Sequence, residues 1–298
     1  MAQLLDGQRV SAEIREAIRM ETAERVASGK TIPGLGVILV GDDPASQVYV
    51  GRKKKACQEV GFYSLEIKLP VQTTQKELLS RVSELNHDPH IHGILVQLPL
   101  PKHLNEQEVV EAIDPHKDVD GFHPENVGRL LTGTEGFVSC TPRGVMELLH
   151  RYKIEIAGKK ALVIGRSNIV GKPMAILLMR EHATVTIAHS RTKNLEAEVK
   201  ASDIVVAAIG KPRMIKGEWF KEGAVVVDVG IHQIEDLTTE KKTRMVGDVD
   251  FEGARERVAY ISPVPGGVGP MTIATLLSNT LYACKKFSAA ASPLPHGK

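Results

Sequence analysis

Aromatic side chains are scarce. Phe, Trp and Tyr make up 4% of the 298 residues, and there is a single Trp. A surface that stacks bases needs several rings, so single-stranded nucleic acid is not an expected partner. Charge of one sign is also lacking. The 38 Lys and Arg nearly cancel the 36 Asp and Glu, leaving +2 and no basic field for a duplex. No apolar run approaches the roughly 18 residues of a membrane span. Met1 to Val10 contains Asp6 and has no apolar signal core, so secretion is not expected. The three cysteines, Cys57, Cys140 and Cys284, are far apart and form no C-x-x-C pair. Reduced thiols in a cytosolic protein are the simplest reading. No repeat of fixed period is visible.

What remains is an ordinary globular composition, 42% hydrophobic and 25% charged. At about 150 residues per domain the length predicts two domains. Short Val- and Ile-rich runs predict strands at 35–40, 64–69, 91–98, 161–164, 184–188, 204–209, 224–229 and 258–261. Amphipathic stretches between them predict helices at 10–28, 45–60, 74–86, 106–112, 142–151, 172–182 and 194–201. Near-continuous apolar strands alternating with helices predict parallel sheets covered by helices, an α/β fold. A boundary is expected near Cys140, after the Gly/Thr-rich loop 132–139. There Thr141-Pro142 reads as an N-cap followed by a first helical turn. The tail Ser288–Lys298 is expected to lack order.

The most informative stretch runs from Lys160 to Pro173. An apolar strand meets Gly165, then Arg166-Ser167-Asn168-Ile169-Val170, then Gly171 and a helix. Loop amides and a helix N-terminus in that order suit a pyrophosphate. Ser167 stands where G-x-G-x-x-G has its second glycine, so the bare motif fits either a cofactor loop or a plain strand-to-helix turn. The next strand ends in His189-Ser190-Arg191-Thr192, without the carboxylate that binds an NAD ribose. Ser190 and Arg191, with Arg166, suit a 2′-phosphate and favour NADP. Arg191 could equally be a solvated loop residue.

Four other groups carry chemistry. Ser46, Tyr49 and Lys53 share a helix face, where a phenol beside an amine can serve acid–base work. Arg52 to Lys55 is also a basic run of the kind that ordinarily lies on a solvated face. Spacing alone does not decide between these. The Tyr-x-x-x-Lys pattern occurs in short-chain dehydrogenases too, but there it follows the glycine loop, whereas here it precedes Gly165. Val96-Gln97-Leu98-Pro99 ends an apolar strand with an amide. Lys117-Asp118-Val119-Asp120-Gly121 sets two carboxylates before a turn. Pro265-Gly266-Gly267-Val268-Gly269-Pro270-Met271-Thr272 is a glycine loop entering a helix. His87, His90 and His92 lack a fitting fourth ligand, so solvated histidines are expected rather than a metal site.

Taken together and in this order, these motifs resemble the bifunctional methylenetetrahydrofolate dehydrogenase/methenyltetrahydrofolate cyclohydrolase family over residues 1–286. The resemblance implies two α/β domains flanking a cleft, the C-terminal one a Rossmann-like NADP-binding domain. It implies residues 1–139 and 273–298 as a discontinuous folate domain, with 140–272 inserted. It implies oxidation of 5,10-methylenetetrahydrofolate by NADP and hydrolysis of the methenyl product to 10-formyltetrahydrofolate, in one shared pocket. Lys53 is similar in position to the family's catalytic lysine. Tyr49 would orient it and meet the folate, Gln97 would hydrogen-bond it, and Asp120 would bind the pterin. Val96, Leu98, Pro265, Gly266, Gly267 and Thr272 match substrate positions. Gly165, Arg166, Ser167, Ser190 and Ile231 match cofactor positions, and Arg191 is added for the missing carboxylate. A homodimer formed through the cofactor domain is also implied. Two other readings stay open on the residues alone. One is a different two-domain NADP dehydrogenase of a small hydroxy- or oxo-acid. The other is a nucleotide-sensing module without turnover.

Overall fold

The computed structural model describes residues 1–236, 238 and 242–290. In chain order the elements are β1 (Gln3–Leu4), α1 (Gly7–Ala27), β2 (Gly34–Val40), α2 (Pro44–Val60), β3 (Tyr63–Leu69), α3 (Gln75–His87) and β4 (Gly93–Val96). Then come α4 (Glu106–Ala112), α5 (Pro124–Thr132), α6 (Cys140–Arg151), β5 (Lys160–Ile164), α7 (Gly171–Arg180), β6 (Thr184–Ala188), α8 (Leu195–Lys200) and β7 (Ile204–Ala207). After a 3₁₀ turn follow β8 (Val225–Asp228), β9 (His232–Glu235), β10 (Thr243–Val246), α9 (Phe251–Arg255), β11 (Tyr260–Ile261) and α10 (Val268–Ala290).

The chain divides into two compact units, Met1–Ala12 with Ser139–Thr275, and Glu13–Val138 with the segment from Leu276. In the second unit a parallel sheet has the order β3-β2-β4. Every residue of β2 is buried, as a strand covered on both faces requires. Its core gathers Ile38, Val40, Leu78, Val82, Ile94, Val96 and Val109. The helices that flank it are well started. Asp43 accepts the N–H of Ser46 at the head of α2, with Pro44 in the first turn. Thr74 and Glu77 form a reciprocal capping box on α3.

The first unit is built on a six-stranded sheet of order β1-β11-β8-β7-β5-β6, parallel at every pairing. The chain leaves β5 for β6 at one edge, then returns to β7 on the other side of β5. That reversal is the switch point where an open α/β sheet leaves a crevice beyond its strand ends. Leu162, Ile164, Val205, Ala207, Val226 and Phe220 fill the core.

Several expectations need correction. Residues 1–12 join the unit predicted to be inserted, because β1 pairs with β11 at Gln3–Tyr260 and Leu4–Ile261. A two-residue strand has no periodicity to read. The N-cap of α6 is Ser139, not Thr141, and its hydroxyl donates to the Ile169 carbonyl instead of the helix amides. His92 is buried, unlike the exposed His87 and His90, and its Nδ1 accepts the Gly34 N–H at 3.1 Å. Residues 288–290 of the supposedly unordered tail extend α10, and residues 291–298 lie outside the described residues. Helix α5 was passed over although Pro124 and Glu125 in its first turn and Gly133 at its end mark both termini. The antiparallel pair β9–β10 was missed because its polar, half-exposed residues resemble a loop.

Candidate active site and cofactor crevice

In the second unit candidate side chains gather at the C-terminal end of β4. The run Arg52–Lys55 on α2 splits: Arg52, Lys54 and Lys55 are exposed, whereas Lys53 is only 9% exposed. Lys54 pairs with Glu66 at 3.0 Å on the surface. Lys53 Nζ donates to Gln97 Oε1 at 3.0 Å. The amide is itself oriented, since Gln97 Nε2 donates to the Leu98 carbonyl at 2.7 Å and the Gln97 N–H to Ile38 at 2.9 Å. With its NH₂ engaged, the amide presents oxygen to the ammonium. A lysine ammonium therefore sits largely dehydrated against a neutral acceptor. Tyr49 lies one turn earlier on α2, half-buried, with the Arg52 guanidinium 6.0 Å from its ring centre. The Val96 side chain belongs to the core, so only its main chain is open to a ligand.

The two carboxylates of 117–121 divide their work. Asp118 is buried and accepts from the N–H groups of Phe122 and His123 and from Asn126 Nδ2, at 3.2, 2.8 and 2.9 Å. Burial pushes its carboxyl above the usual range, against those hydrogen bonds. Lys117 turns inward, its Nζ donating to the Leu85 and Asp88 carbonyls, and burial lowers its pKa. These two side chains hold the segment beside β4, where Ile94 and Asp118 form a parallel bridge. The half-buried Asp120 follows in the same segment, before the positive-φ turn at Gly121. Lys53, Gln97 and Leu98 thus meet beyond β4, with Tyr49 one turn from Lys53, and Asp120 lies in the segment beside β4 of the same unit.

In the first unit the crevice is lined by main chain. Gly165, at φ 139°, closes against the loop after β7: a Cβ there would lie 2.2 Å from the Ala208 carbonyl oxygen. A Cβ on Gly171 would lie 2.3 Å from the Gly165 oxygen. No side chain fits either position, which leaves a backbone cradle of the kind that admits a pyrophosphate. Ser167, in place of the second glycine, accepts the N–H groups of Val170 and Gly171 at 3.2 and 3.3 Å. The hydroxyl therefore caps the start of α7 and keeps its own O–H as a donor. The Gly165 N–H donates to Ala188 at the end of β6, so Arg166 and the exposed Ser190-Arg191 leave neighbouring strand ends. Ser190 sits in a tight turn, closed by Thr192 N–H to the His189 carbonyl and His189 N–H to Thr192 Oγ1. An exposed hydroxyl and two guanidiniums there suit a phosphate monoester.

The glycine loop of residues 265–272 also lies in this unit. Gly266 takes φ 107°, and its carbonyl accepts the Gln8 N–H at 2.9 Å. Thr272 Oγ1 is 3.0 Å from Thr141 Oγ1. Ile231 is exposed beside Gly269.

Sequence reasoning passed over a pair of buried carboxylates. Asp228 accepts the N–H groups of Gly230, Asp248 and Val249 at 2.9, 2.9 and 2.8 Å. Burial raises its pKa to about 6. Asp248 accepts the N–H groups of Ile209, Gly210 and Lys211 at 2.6, 3.1 and 2.9 Å, and meets His232 Nε2 at 2.7 Å. The signal was Gly247-Asp248-Val249-Asp250, which resembles the Asp120 segment but reads just as well as a turn.

Two family descriptions match the chain: the tetrahydrofolate dehydrogenase/cyclohydrolase catalytic domain over residues 5–120, and the NAD(P)-binding domain of the same enzymes over residues 139–288. The Bifunctional protein FolD of Geotalea uraniireducens is 55% identical over 286 residues, 96% of this chain and 100% of that one. The crystal structure of bifunctional FolD, methylenetetrahydrofolate dehydrogenase/cyclohydrolase, from Campylobacter jejuni superposes with a TM-score of 0.92 at 48% identity. It covers 96% of this chain and 99% of that one. The Trypanosoma brucei enzyme, solved with NADP and an inhibitor, gives 0.92 at 42% identity, covering 98% and 99%.

Proposed function

The chain belongs to the tetrahydrofolate dehydrogenase/cyclohydrolase family, and on that premise we propose that Lys53, held by Gln97, is its proton-handling group. The protein oxidises 5,10-methylenetetrahydrofolate to the methenyl form with NADP, and hydrolyses that form to 10-formyltetrahydrofolate. NADP supplies the hydride acceptor for the first reaction.

The second reaction needs a water to add to the bridging carbon and lose a proton, after which a carbon–nitrogen bond of the bridge breaks. The Lys53 amine takes that proton, and the ammonium so formed returns it to the departing ring nitrogen. Gln97 holds the amine through one hydrogen bond from a neutral amide oxygen. Tyr49 orients Lys53 and borders the folate. Asp120 accepts the N–H groups of the pterin's amino-pyrimidinone edge, a two-point contact suited to a carboxylate. Val96, through its main chain, and Leu98 border the same ligand. Pro265, Gly266, Gly267 and Thr272 are assigned to substrate on their motif.

Gly165 and Gly171 admit the cofactor's diphosphate to the backbone, with Ser167 donating to it. Arg166, Ser190 and Arg191 take the 2′-phosphate, and Ile231 covers the nicotinamide end. Three free, buried thiols support a cytosolic protein. Among the described residues no helix is long and apolar enough to cross a membrane. A homodimer through the cofactor unit is part of the same proposal, supported by the exposed Ile187 on its edge strand β6.

The observation that carries the catalytic assignment is the buried Lys53–Gln97 contact. Its test is Lys53→Met, assayed for both reactions with purified folates. Hydrolysis of the methenyl form should fall by about 100-fold or more. Formation of 10-formyltetrahydrofolate at the normal rate would overturn it.

A further inference from the structure

Asp248 is fully buried, and it is spent on the main chain that surrounds the cofactor crevice. Its Oδ2 takes the N–H groups of Ile209 and Gly210, and its Oδ1 takes that of Lys211. Three successive amides turned toward one point form a nest for an anion. Here the anion is the protein's own carboxylate, so those amides are not offered to a bound phosphate. Oδ1 also holds His232 Nε2 at 2.7 Å, and His232 directly follows Ile231. A Cβ on Gly230 would lie 2.4 Å from the same Oδ1, so the segment after β8 is drawn hard against this carboxylate. Asp228 fixes the main chain of Asp248 in turn, and a Cβ on Gly247 would lie 1.9 Å from its Oδ2.

We infer that Asp248, acting through His232, is a positioning residue for NADP. It ties the loop after β7 to the segment carrying Ile231, so that two walls of the crevice are held as one piece. The inference rests on the cofactor reading above. It predicts an effect on dinucleotide affinity, with no part in the bond-making steps.

The test compares His232→Ala, His232→Gln and Asp248→Asn with the unmodified protein. His232→Ala keeps the buried carboxylate and its amide bonds, so it does not threaten folding as Asp248→Asn does. NADP binding is titrated directly, and dehydrogenase KM and kcat are measured with saturating methylenetetrahydrofolate. Hydrolysis of the methenyl form is followed without NADP. For His232→Ala, Kd and KM for NADP should rise about tenfold, with kcat at saturating NADP within about twofold and the NADP-free hydrolysis retained. His232→Gln, whose amide can still donate to Asp248, should recover most of the affinity. Asp248→Asn should weaken NADP binding further. Unchanged NADP affinity in His232→Ala overturns the inference, and so does a parallel loss of NADP-free hydrolysis. Failure of the unmodified protein to bind NADP would remove the cofactor reading, and this inference with it.

Discussion

Lys53 and Gln97 are 44 residues apart in sequence, yet their side chains meet at 3.0 Å inside one unit. The contact joins an amine to a neutral oxygen, and that neutrality is open to experiment. Gln97→Glu puts a carboxylate on the ammonium and favours the charged amine. Hydrolysis at neutral pH should fall by about 100-fold. Gln97→Leu removes the partner without adding charge and should cost less, about tenfold. A Gln97→Glu protein with normal hydrolysis rates would contradict the assignment.

Arg166 and Arg191 are assigned to the 2′-phosphate. A charge-assisted hydrogen bond contributes roughly 1.5–3 kcal/mol. Arg166→Ala and Arg191→Ala should therefore each raise the KM for NADP by about ten- to a hundredfold while leaving that for NAD little changed. Ser190→Ala should do the same more weakly. Equal losses toward both cofactors would show that these residues do not read the phosphate.

Two glycines should respond in opposite directions. Gly171 meets backbone, which cannot swing aside, so Gly171→Ala must shift α7 or the Gly165 turn. The expected cost is about 1–3 kcal/mol, read by denaturant unfolding, together with loss of NADP binding. Gly128 is helical and exposed, with nothing within 4 Å of a built Cβ. Gly128→Ala should raise stability by about 0.4–1 kcal/mol. Stabilisation by Gly171→Ala would refute the close approach described here.

His92 gives a pH dependence. Burial, helped by the nearby Lys117 and Arg25 charges, lowers its pKa from 6.5 to about 4. Between these values the unfolded chain binds the proton and the folded ring does not. Stability from this group is complete above the unfolded pKa and declines as pH falls from about 6.5 toward 4. Asn can offer an oxygen to the Gly34 N–H without titrating. Relative to the unmodified protein, His92→Asn should gain about 2–3 kcal/mol between pH 7.5 and 4. Parallel stability curves across that range would argue against a proton-free ring.

Much of this was legible in the chain because it depends on local pattern. The runs at 35–40 and 161–164 read as strands since they are buried and rich in branched apolar residues, and the largely exposed run at 184–188 since it is β-branched. The spacing of Tyr49 and Lys53 placed them on one helix face. Sequence could not show which member of Arg52–Lys55 turns inward, because that depends on a Gln97 oxygen contributed by another strand. For the same reason His92 was misread: its partner is a main-chain N–H from β2. Asp228 and Asp248 were passed over because their partners are nearly all backbone amides, which leave no trace in residue type. The resemblance supplied roles for Asp120 and the 265–272 loop that spacing alone left open.

The pairing of β1 with β11 bears on how the protein is made. Gln3 and Leu4 are synthesised long before their partners Tyr260 and Ile261. The other unit likewise waits for α10, whose Asn279 donates to the Val119 carbonyl. At about 5–20 residues per second, the opening strand spends tens of seconds without its neighbour. Neither unit can be finished while the ribosome is still translating its first half. Such late, long-range closure is a slow folding step. It leaves the nascent chain dependent on protection from aggregation until β11 and α10 have been made.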